Sequence, residues 1–163
     1  MPAPGHILVV CTANICRSPM AEGLLQHALA AEGPPLRGLP VVSAGLAARP
    51  GEPVSAHSVT AMRKVGVDIS AHRARPLTQE LLDGALAVFC MTRSHCSLIE
   101  LQASPVPARL HLLRAFAGAG GDPEIADPFG GTLAHYEQSR DEMVEAIPGL
   151  LAYLRTIVPP AAP

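Results

Sequence analysis

The sequence predicts a single-domain α/β fold, in which a four-stranded parallel sheet has helices on both faces. Three observations support this prediction. Short apolar runs alternate along the chain with longer segments of helical periodicity, which is typical of βαβ units. The 163 residues suit one domain, which we assign to residues 1–158, followed by a flexible Pro- and Ala-rich tail at 159–163. The first strand-like run ends in Cys11, and a helix-like segment follows it within a few residues.

Four apolar runs are predicted to form the strands. They cover residues 6–11, 41–44, 85–91 and, with a weaker pattern, 108–113. The run at 85–91, ALAVFCM, is continuously apolar, which indicates a strand buried on both faces. Strands joined through helices run parallel, so their carboxyl ends share one edge of the sheet, where ligands bind in this class of fold. Cys11 is expected at that edge.

Four helices are predicted between and after the strands. The first has Ser18 as its cap, Pro19 as its first residue and Gly33 at its close. The other three are predicted at 55–67, from residue 94, and from residue 132 to near the end of the chain. Pro148 lies inside the last helical pattern, so we expect it to kink or interrupt that helix.

Composition restricts the location and the partners of the chain. The basic residues are eleven Arg and one Lys without a cluster, the net charge is −2, and aromatic residues make up 3%. A nucleic-acid partner is therefore not expected. The first residues lack the pattern of a signal peptide, and no apolar run approaches the roughly 18 residues of a membrane span. We expect a cytoplasmic monomer without membrane contacts, whose four cysteines are reduced and whose cysteine spacing does not suit zinc.

The segment from Cys11 to Arg17 is the strongest candidate for chemistry. If this loop curls above the start of the first helix, the N–H groups of residues 12–17 converge into a nest that suits an anion such as phosphate. Arg17 adds a planar, permanently charged fork that matches two phosphate oxygens. The same positive field favours the thiolate of Cys11, which makes it a nucleophile suited to in-line attack on phosphorus. A small buried cysteine is the alternative interpretation, since the spacing alone is weak evidence.

Five segments together resemble the low-molecular-weight protein tyrosine phosphatase family. They are VCTANICRSPMAE at 10–22, SAG at 43–45, GVDISAHRARPLT at 66–78, MTRSH at 91–95 and DPFGG at 127–131. The resemblance implies phosphoprotein substrates, no metal or other cofactor, and a bacterial tyrosine kinase as counterpart. It also implies that Cys11 is the nucleophile, that Arg17 binds phosphate, and that Asp127 acts first as general acid and then as general base.

The resemblance assigns roles to further residues. Those expected around the phosphate are Thr12, Ala13, Asn14, Ile15, Cys16, Arg17 and Ser18, and those expected to support the loop are Asn14, Ser18, Ser43 and His72. Ile15 and Phe129 are expected to form the wall beside the substrate. Cys16 matches a loop cysteine that forms a protective disulfide with the nucleophile, although a plain structural role is an equal alternative.

Three positions depart from the usual family pattern. Ala13 replaces a glycine, which costs about 1 kcal/mol of strain if that position has a positive φ and nothing otherwise. Phe129 and Gly130 replace two tyrosines, and DPFGG followed by YEQSRDE resembles the protein arginine phosphatase branch. Ile15, in contrast, matches the tyrosine phosphatase branch, because arginine phosphatases carry threonine there. Since Ile15 is closer to the phosphate, we expect phosphotyrosine to be preferred over phosphoarginine by about tenfold or more.

Two further functions are less favoured alternatives. A thioredoxin-coupled arsenate reductase would use Cys90 and Cys96 as relay cysteines, but Cys90 lies inside an apolar run and the phosphatase segments argue against it. A catalytically silent module that binds phosphoproteins predicts the loss of Cys11 or Asp127, and both residues are present.

Overall fold

Four parallel strands form the sheet of this protein in a computed structural model, which describes residues 5–118 and 120–160. The strands are β1 (His6–Cys11), β2 (Val41–Gly45), β3 (Ala85–Cys90) and β4 (Leu110–Leu112). Their order in the sheet is β2-β1-β3-β4, and each neighbouring pair is parallel. The predicted α/β fold with a four-stranded parallel sheet is therefore confirmed, although β4 is only three residues long.

Within the described residues, five α-helices cover the two faces of the sheet. They are α1 (Arg17–Ala30), α2 (Ala56–Arg63), α3 (Gln79–Asp83), α4 (Arg93–Gln102) and α5 (Leu133–Ile157). Buried side chains of α1, α2 and α5 pack with Ile7, Val9 and Phe89 on one face. Those of α3 and α4 pack with Leu8 and Val88 on the other face. Adjacent residues of β1 point to opposite faces, so both sides of this strand are apolar and buried.

The start of α1 differs from the prediction. The helix begins at Arg17 with Cys16 in the N-cap position, and no side chain caps it. Ser18 was expected to be the cap, but it is the second helical residue and its hydroxyl contacts Cys11 and Asn14 instead. The first N–H groups of α1 therefore have no capping side chain and are available to bind a ligand.

Other helix bounds also depart from the local patterns. The segment 55–67 is helical only over Ala56–Arg63, and Gly66 lies beyond its end with φ of +81°. Helix α3 was not predicted, since five residues are too few for a periodic pattern. Pro148 does not interrupt α5, because buried residues on both sides of it, including Met143 and Leu150, hold the helix against the core.

The topology brings Cys11 to the centre of one edge. The first strand has β2 on one side and β3 on the other, so the chain leaves β1 at the point where the order of strands reverses. Crevices for ligands open at such points. None of the helices described in residues 5–118 and 120–160 is long and apolar enough to span a bilayer.

Candidate active site

Cys11 and Arg17 mark the two ends of the loop that lies above the sheet. Cys11 is the last residue of β1, and its Sγ lies 3.0 Å from the Ser18 hydroxyl oxygen. Arg17 is the first residue of α1, so the loop ends where the positive end of the helix dipole begins. Among the described residues, no acceptor receives a hydrogen bond from the N–H groups of residues 13–16. Unpaired amides beside a helix N-terminus suit an anion of several oxygens, such as phosphate.

A polar network around Asn14 holds the loop in shape. Its side-chain amide donates to the hydroxyls of Ser18, at 2.7 Å, and Ser43, at 2.9 Å. The amide oxygen accepts from the Arg75 N–H, and the Asn14 carbonyl oxygen lies 2.9 Å from His72 Nε2. The structure thus brings together Asn14, Ser18, Ser43 and His72, the four side chains expected to support the loop. Asn14 is fully buried, so these bonds also satisfy polar groups that water does not reach.

The backbone conformation of the loop settles the question about Ala13. Among the described non-glycine residues, Asn14 alone has a positive φ, at +58°. Ala13 therefore carries none of the strain that a left-handed conformation would impose. Asparagine tolerates this conformation better than most residues, and the four hydrogen-bond partners of Asn14 offset its remaining cost.

Gly45 supports the loop from beneath. A Cβ at this position would lie 2.7 Å from the Thr12 carbonyl oxygen, 2.9 Å from the Ala48 side chain and 3.0 Å from the Ala13 carbonyl carbon. In the sequence, Gly45 is marked only by its place in the SAG segment at 43–45. The structure gives the physical reason for it, which is the close approach of β2 to the loop backbone.

Arg17 is nearly buried and only partly paired. Its Nη1 donates to the Ile125 carbonyl oxygen at 2.9 Å, and its Nη2 lies 3.6 Å from Asp127 Oδ2. Its Nε is buried, and no hydrogen-bond partner for it exists among the described residues. A buried guanidinium N–H without a partner is costly. An anion seated on the loop would satisfy it.

Asp127 approaches the site from the segment before α5. Its side chain is about half exposed, and its Oδ1 accepts a hydrogen bond from the Phe129 N–H at 3.1 Å. Oδ2 faces Arg17 at 3.6 Å. A carboxyl group in this position can deliver a proton to an atom leaving the anion and remain open to water.

The second loop cysteine, Cys16, lies in a different environment. Its Sγ contacts the Tyr136 hydroxyl at 3.5 Å, and burial raises the pKa of the Cys16 thiol above its usual value. Burial also raises the pKa of Tyr136 to about 12. Both groups are therefore neutral at physiological pH.

A cavity of about 370 Å³ opens above Cys11. Its lining includes Cys11, Ile15, Arg17, Asp127 and Phe129, all of which were expected at the site. Ile15 is largely buried in the wall, whereas Phe129 is 69% exposed at the mouth. The cavity combines a thiol, a guanidinium group, a carboxyl group and apolar walls, a set of groups that suits displacement at phosphorus.

Several residues near the cavity were not expected. Arg49 and Glu52 line its outer part, and no local pattern in the sequence marks them. His95 lies 2.9 Å from the Thr12 hydroxyl, and its position in MTRSH was the one available signal. Among the described residues, no three His, Cys, Asp or Glu side chains are grouped so that they would hold a metal ion.

Comparisons with known proteins match nearly the whole chain. Residues 6–158 match the family described as "Low molecular weight phosphotyrosine protein phosphatase". A protein-arginine-phosphatase from Geobacillus stearothermophilus is 38% identical over 153 residues, covering 94% of this chain and 98% of the relative. The protein-arginine-phosphatase of Bacillus subtilis is 35% identical over 149 residues, covering 91% and 96%. The crystal structure of a low molecular weight protein tyrosine phosphatase from T. tengcongensis is 35% identical, with a TM-score of 0.83 and coverage of 92% and 99%.

Proposed function

Because this chain belongs to the low molecular weight phosphotyrosine protein phosphatase family, as a cysteine-dependent phosphatase, we propose that it hydrolyses phosphotyrosine in proteins through a phosphocysteine intermediate. Cys11 Sγ attacks phosphorus, and the bond from phosphorus to the leaving oxygen breaks as the new S–P bond forms. Asp127 gives its proton to that oxygen. Asp127 then takes a proton from the water that attacks phosphocysteine, which releases inorganic phosphate and the Cys11 thiolate.

One observation carries this proposal: Arg17, which lines the same cavity as Cys11, has a buried Nε with no hydrogen-bond partner among the described residues. We expect the loop amides and this N–H to bind the three phosphoryl oxygens during the transfer, because they belong to the loop and helix start that follow the thiol. Such donors stabilise the transition state because they are already oriented when charge develops. A silent binding module would need the same nest. It would not need a thiol and a carboxyl group that line one cavity.

Overall similarity favours a different substrate, phosphoarginine. The two curated relatives described above are protein-arginine-phosphatases, one of them at 38% identity. The tyrosine phosphatase structure, at 35%, equals the second of them in identity. Taken together, these similarities support phosphoarginine better than phosphotyrosine, the substrate expected from the sequence. Asp127 and Glu52 also line the cavity with carboxylates that could accept guanidinium N–H groups.

The wall of the cavity favours phosphotyrosine. Ile15 is 9% exposed and borders the cavity that Cys11 also lines. Its branched apolar surface suits a phenyl ring, whereas the N–H groups of a phosphoguanidinium would lose water there without gaining a partner. Phe129 does not discriminate, since an aromatic face stacks on a phenol ring or on a guanidinium. We give Ile15 the greater weight because it belongs to the loop between Cys11 and Arg17, whereas Phe129 is 69% exposed.

Side-by-side kinetics test this choice. We expect kcat/KM for a phosphotyrosine peptide to exceed that for the matched phosphoarginine peptide by about tenfold or more. Ile15→Thr should shift the ratio toward phosphoarginine, because its hydroxyl accepts an N–H. Ile15→Val is the matched control, with the same branching and no hydroxyl, and should leave the ratio near the wild-type value. Faster turnover of phosphoarginine by the wild type would make phosphoarginine the substrate.

The thiols of Cys90 and Cys96 keep arsenate reduction as a second candidate. The two thiols share a hydrogen bond. This bond and burial raise the pKa of Cys90 well above its usual value, whereas the same bond lowers the pKa of Cys96. A reductase would relay oxidation from Cys11 through such a pair. The test is thioredoxin-dependent reduction of arsenate, which we expect to be absent. Reduction that Cys96→Ser abolishes would establish the second function.

A further inference from the structure

A hydrogen bond links Thr12, the residue after the nucleophile, to a buried histidine of another element. Thr12 Oγ1 lies 2.9 Å from His95 Nε2. His95 is 4% exposed in the first turn of α4. The other ring nitrogen of His95, Nδ1, accepts the Thr92 N–H at 3.3 Å, and the backbone N–H of His95 donates to the Thr92 hydroxyl. Helix α4 thus fixes the histidine ring through its capping residue.

These contacts determine which ring nitrogen of His95 carries the proton. Because Nδ1 accepts the Thr92 N–H, a neutral ring has its hydrogen on Nε2. Burial, followed by the positive charge of Arg17, lowers the pKa of His95 to about 4, so the ring is neutral at physiological pH. The Nε2–H therefore donates to the Thr12 oxygen.

A hydroxyl that accepts one hydrogen bond has its own hydrogen left to donate elsewhere. Thr12 Oγ1 has His95 as its single partner within the described part of the chain. The Thr12 side chain is exposed and lines the cavity above Cys11 as well as a neighbouring one that also contains Asp127. Its hydrogen is therefore free to donate into these cavities, one of which lies above Cys11.

We propose that His95 is a positioning residue, which holds the Thr12 hydroxyl so that it donates a hydrogen bond to a phosphoryl oxygen of the substrate. The inference rests on the proposed phosphatase activity. It adds a side-chain donor to the amides and guanidinium already described. No covalent step changes, because the hydrogen stays on Thr12 throughout. The bond is strongest when the oxygens carry most charge, so its loss should lower kcat more than it raises KM.

A double-mutant cycle tests the link between the two residues. Thr12→Val removes the hydroxyl and keeps the branched shape. His95→Asn keeps an acceptor near the position of Nδ1, and hence the cap of α4, but loses the donor at Nε2. With p-nitrophenyl phosphate, each change alone should lower kcat by about tenfold or more. In the Thr12→Val background, His95→Asn should cost less than about twofold further, since the hydroxyl it positions is gone. His95→Gln, which can supply both contacts, should recover most of the lost kcat.

Three outcomes would overturn this inference. The first is a kcat for Thr12→Val near that of the wild type. The second is a double variant whose loss of kcat equals the product of the two single losses. The third is a kcat for His95→Gln no higher than that for His95→Asn. Thermal unfolding of every variant checks that each is folded at the assay temperature. If Thr12→Val is not folded, Thr12→Ala also removes the hydroxyl and takes its place in the cycle. Turnover that survives Cys11→Ser would instead contradict the proposed function, so the two failures are distinguishable.

Discussion

Gly45→Ala should disable the loop without unfolding the protein. The added Cβ would lie 2.7 Å from the Thr12 carbonyl oxygen, whereas ordinary contacts begin at 3.4 Å. The backbone of the loop must therefore move by about 0.7 Å, because neither β2 nor Thr12 has a flexible side chain at the point of contact. A displacement of about 1 Å in a catalytic group can cost on the order of a hundredfold in rate. We expect kcat/KM for an aryl phosphate to fall by about tenfold to a hundredfold.

The variant should nevertheless remain folded. Overpacking by one methyl group costs about 1 to 3 kcal/mol, and a domain is stable by about 5 to 15 kcal/mol. The variant should therefore unfold cooperatively at a lower temperature and remain folded in the assay. Gly33→Ala is the matched control, since a Cβ there has no heavy atom within 4 Å, and Gly33 follows the end of α1 whereas the loop precedes its start. It should change neither activity nor stability by a measurable amount.

The two measurements together decide whether the reasoning holds. If Gly45→Ala retained kcat/KM within about twofold of the wild type, the loop would not depend on the close approach of β2. If activity and cooperative unfolding were lost together, Gly45 would support the fold and not specifically the site. A folded variant with weak inorganic phosphate binding and low kcat/KM is the expected result.

Three further predictions concern the groups that carry the chemistry. Cys11→Ser should abolish turnover and leave vanadate binding measurable, because the loop amides and Arg17 remain, and substantial residual turnover would exclude a covalent intermediate. Asp127→Asn should slow phenyl phosphate far more than p-nitrophenyl phosphate, since the better leaving group needs no proton, and equal losses would make Asp127 structural. Hydrogen peroxide should oxidise Cys11 to a sulfenic acid that condenses with Cys16 as water leaves, so a thiol should restore activity. Cys16→Ser should make this inactivation harder to reverse, and unchanged recovery would remove Cys16 from the redox role.

Long segments with a clear pattern were predictable from the sequence. The run at 85–91 is continuously apolar, and the structure has a buried strand at Ala85–Cys90. The position of Cys11 was also predictable, because it ends the first strand and the carboxyl ends of parallel strands share the edge of the sheet where ligands bind. Short elements were not predictable in the same way. Helix α3 has only five residues. The hydrogen bond from the Leu81 N–H to the Thr78 side chain that caps it also occurs in many turns, so a threonine at this position does not by itself predict a helix.

The start of α1 shows how tertiary contacts override a local signal. Ser18 followed by Pro19 is a usual start for a helix. In the structure the Ser18 hydroxyl contacts Cys11 and receives a hydrogen bond from Asn14, so it is not available as a cap. The helix starts two residues earlier than predicted, at Arg17 and not at Pro19, and its first amides lie beside the loop. A capping rule that considers only the residues next to Ser18 does not include its contact with Cys11, which lies in β1.

The sequence by itself determined the class of fold and the order of its reactive groups, because hydrophobic periodicity and the spacing from Cys11 to Arg17 are local properties of the chain. The tertiary structure decided the contacts between distant residues. It placed Gly45 beneath the loop, gave the positive φ to Asn14 and not to Ala13, left Arg17 Nε without a partner in the described part of the chain, and joined His95 to Thr12. These features depend on distances between atoms that are up to 83 residues apart in the chain. Such distances follow from how the helices pack on the sheet, and no pattern of neighbouring residues records them.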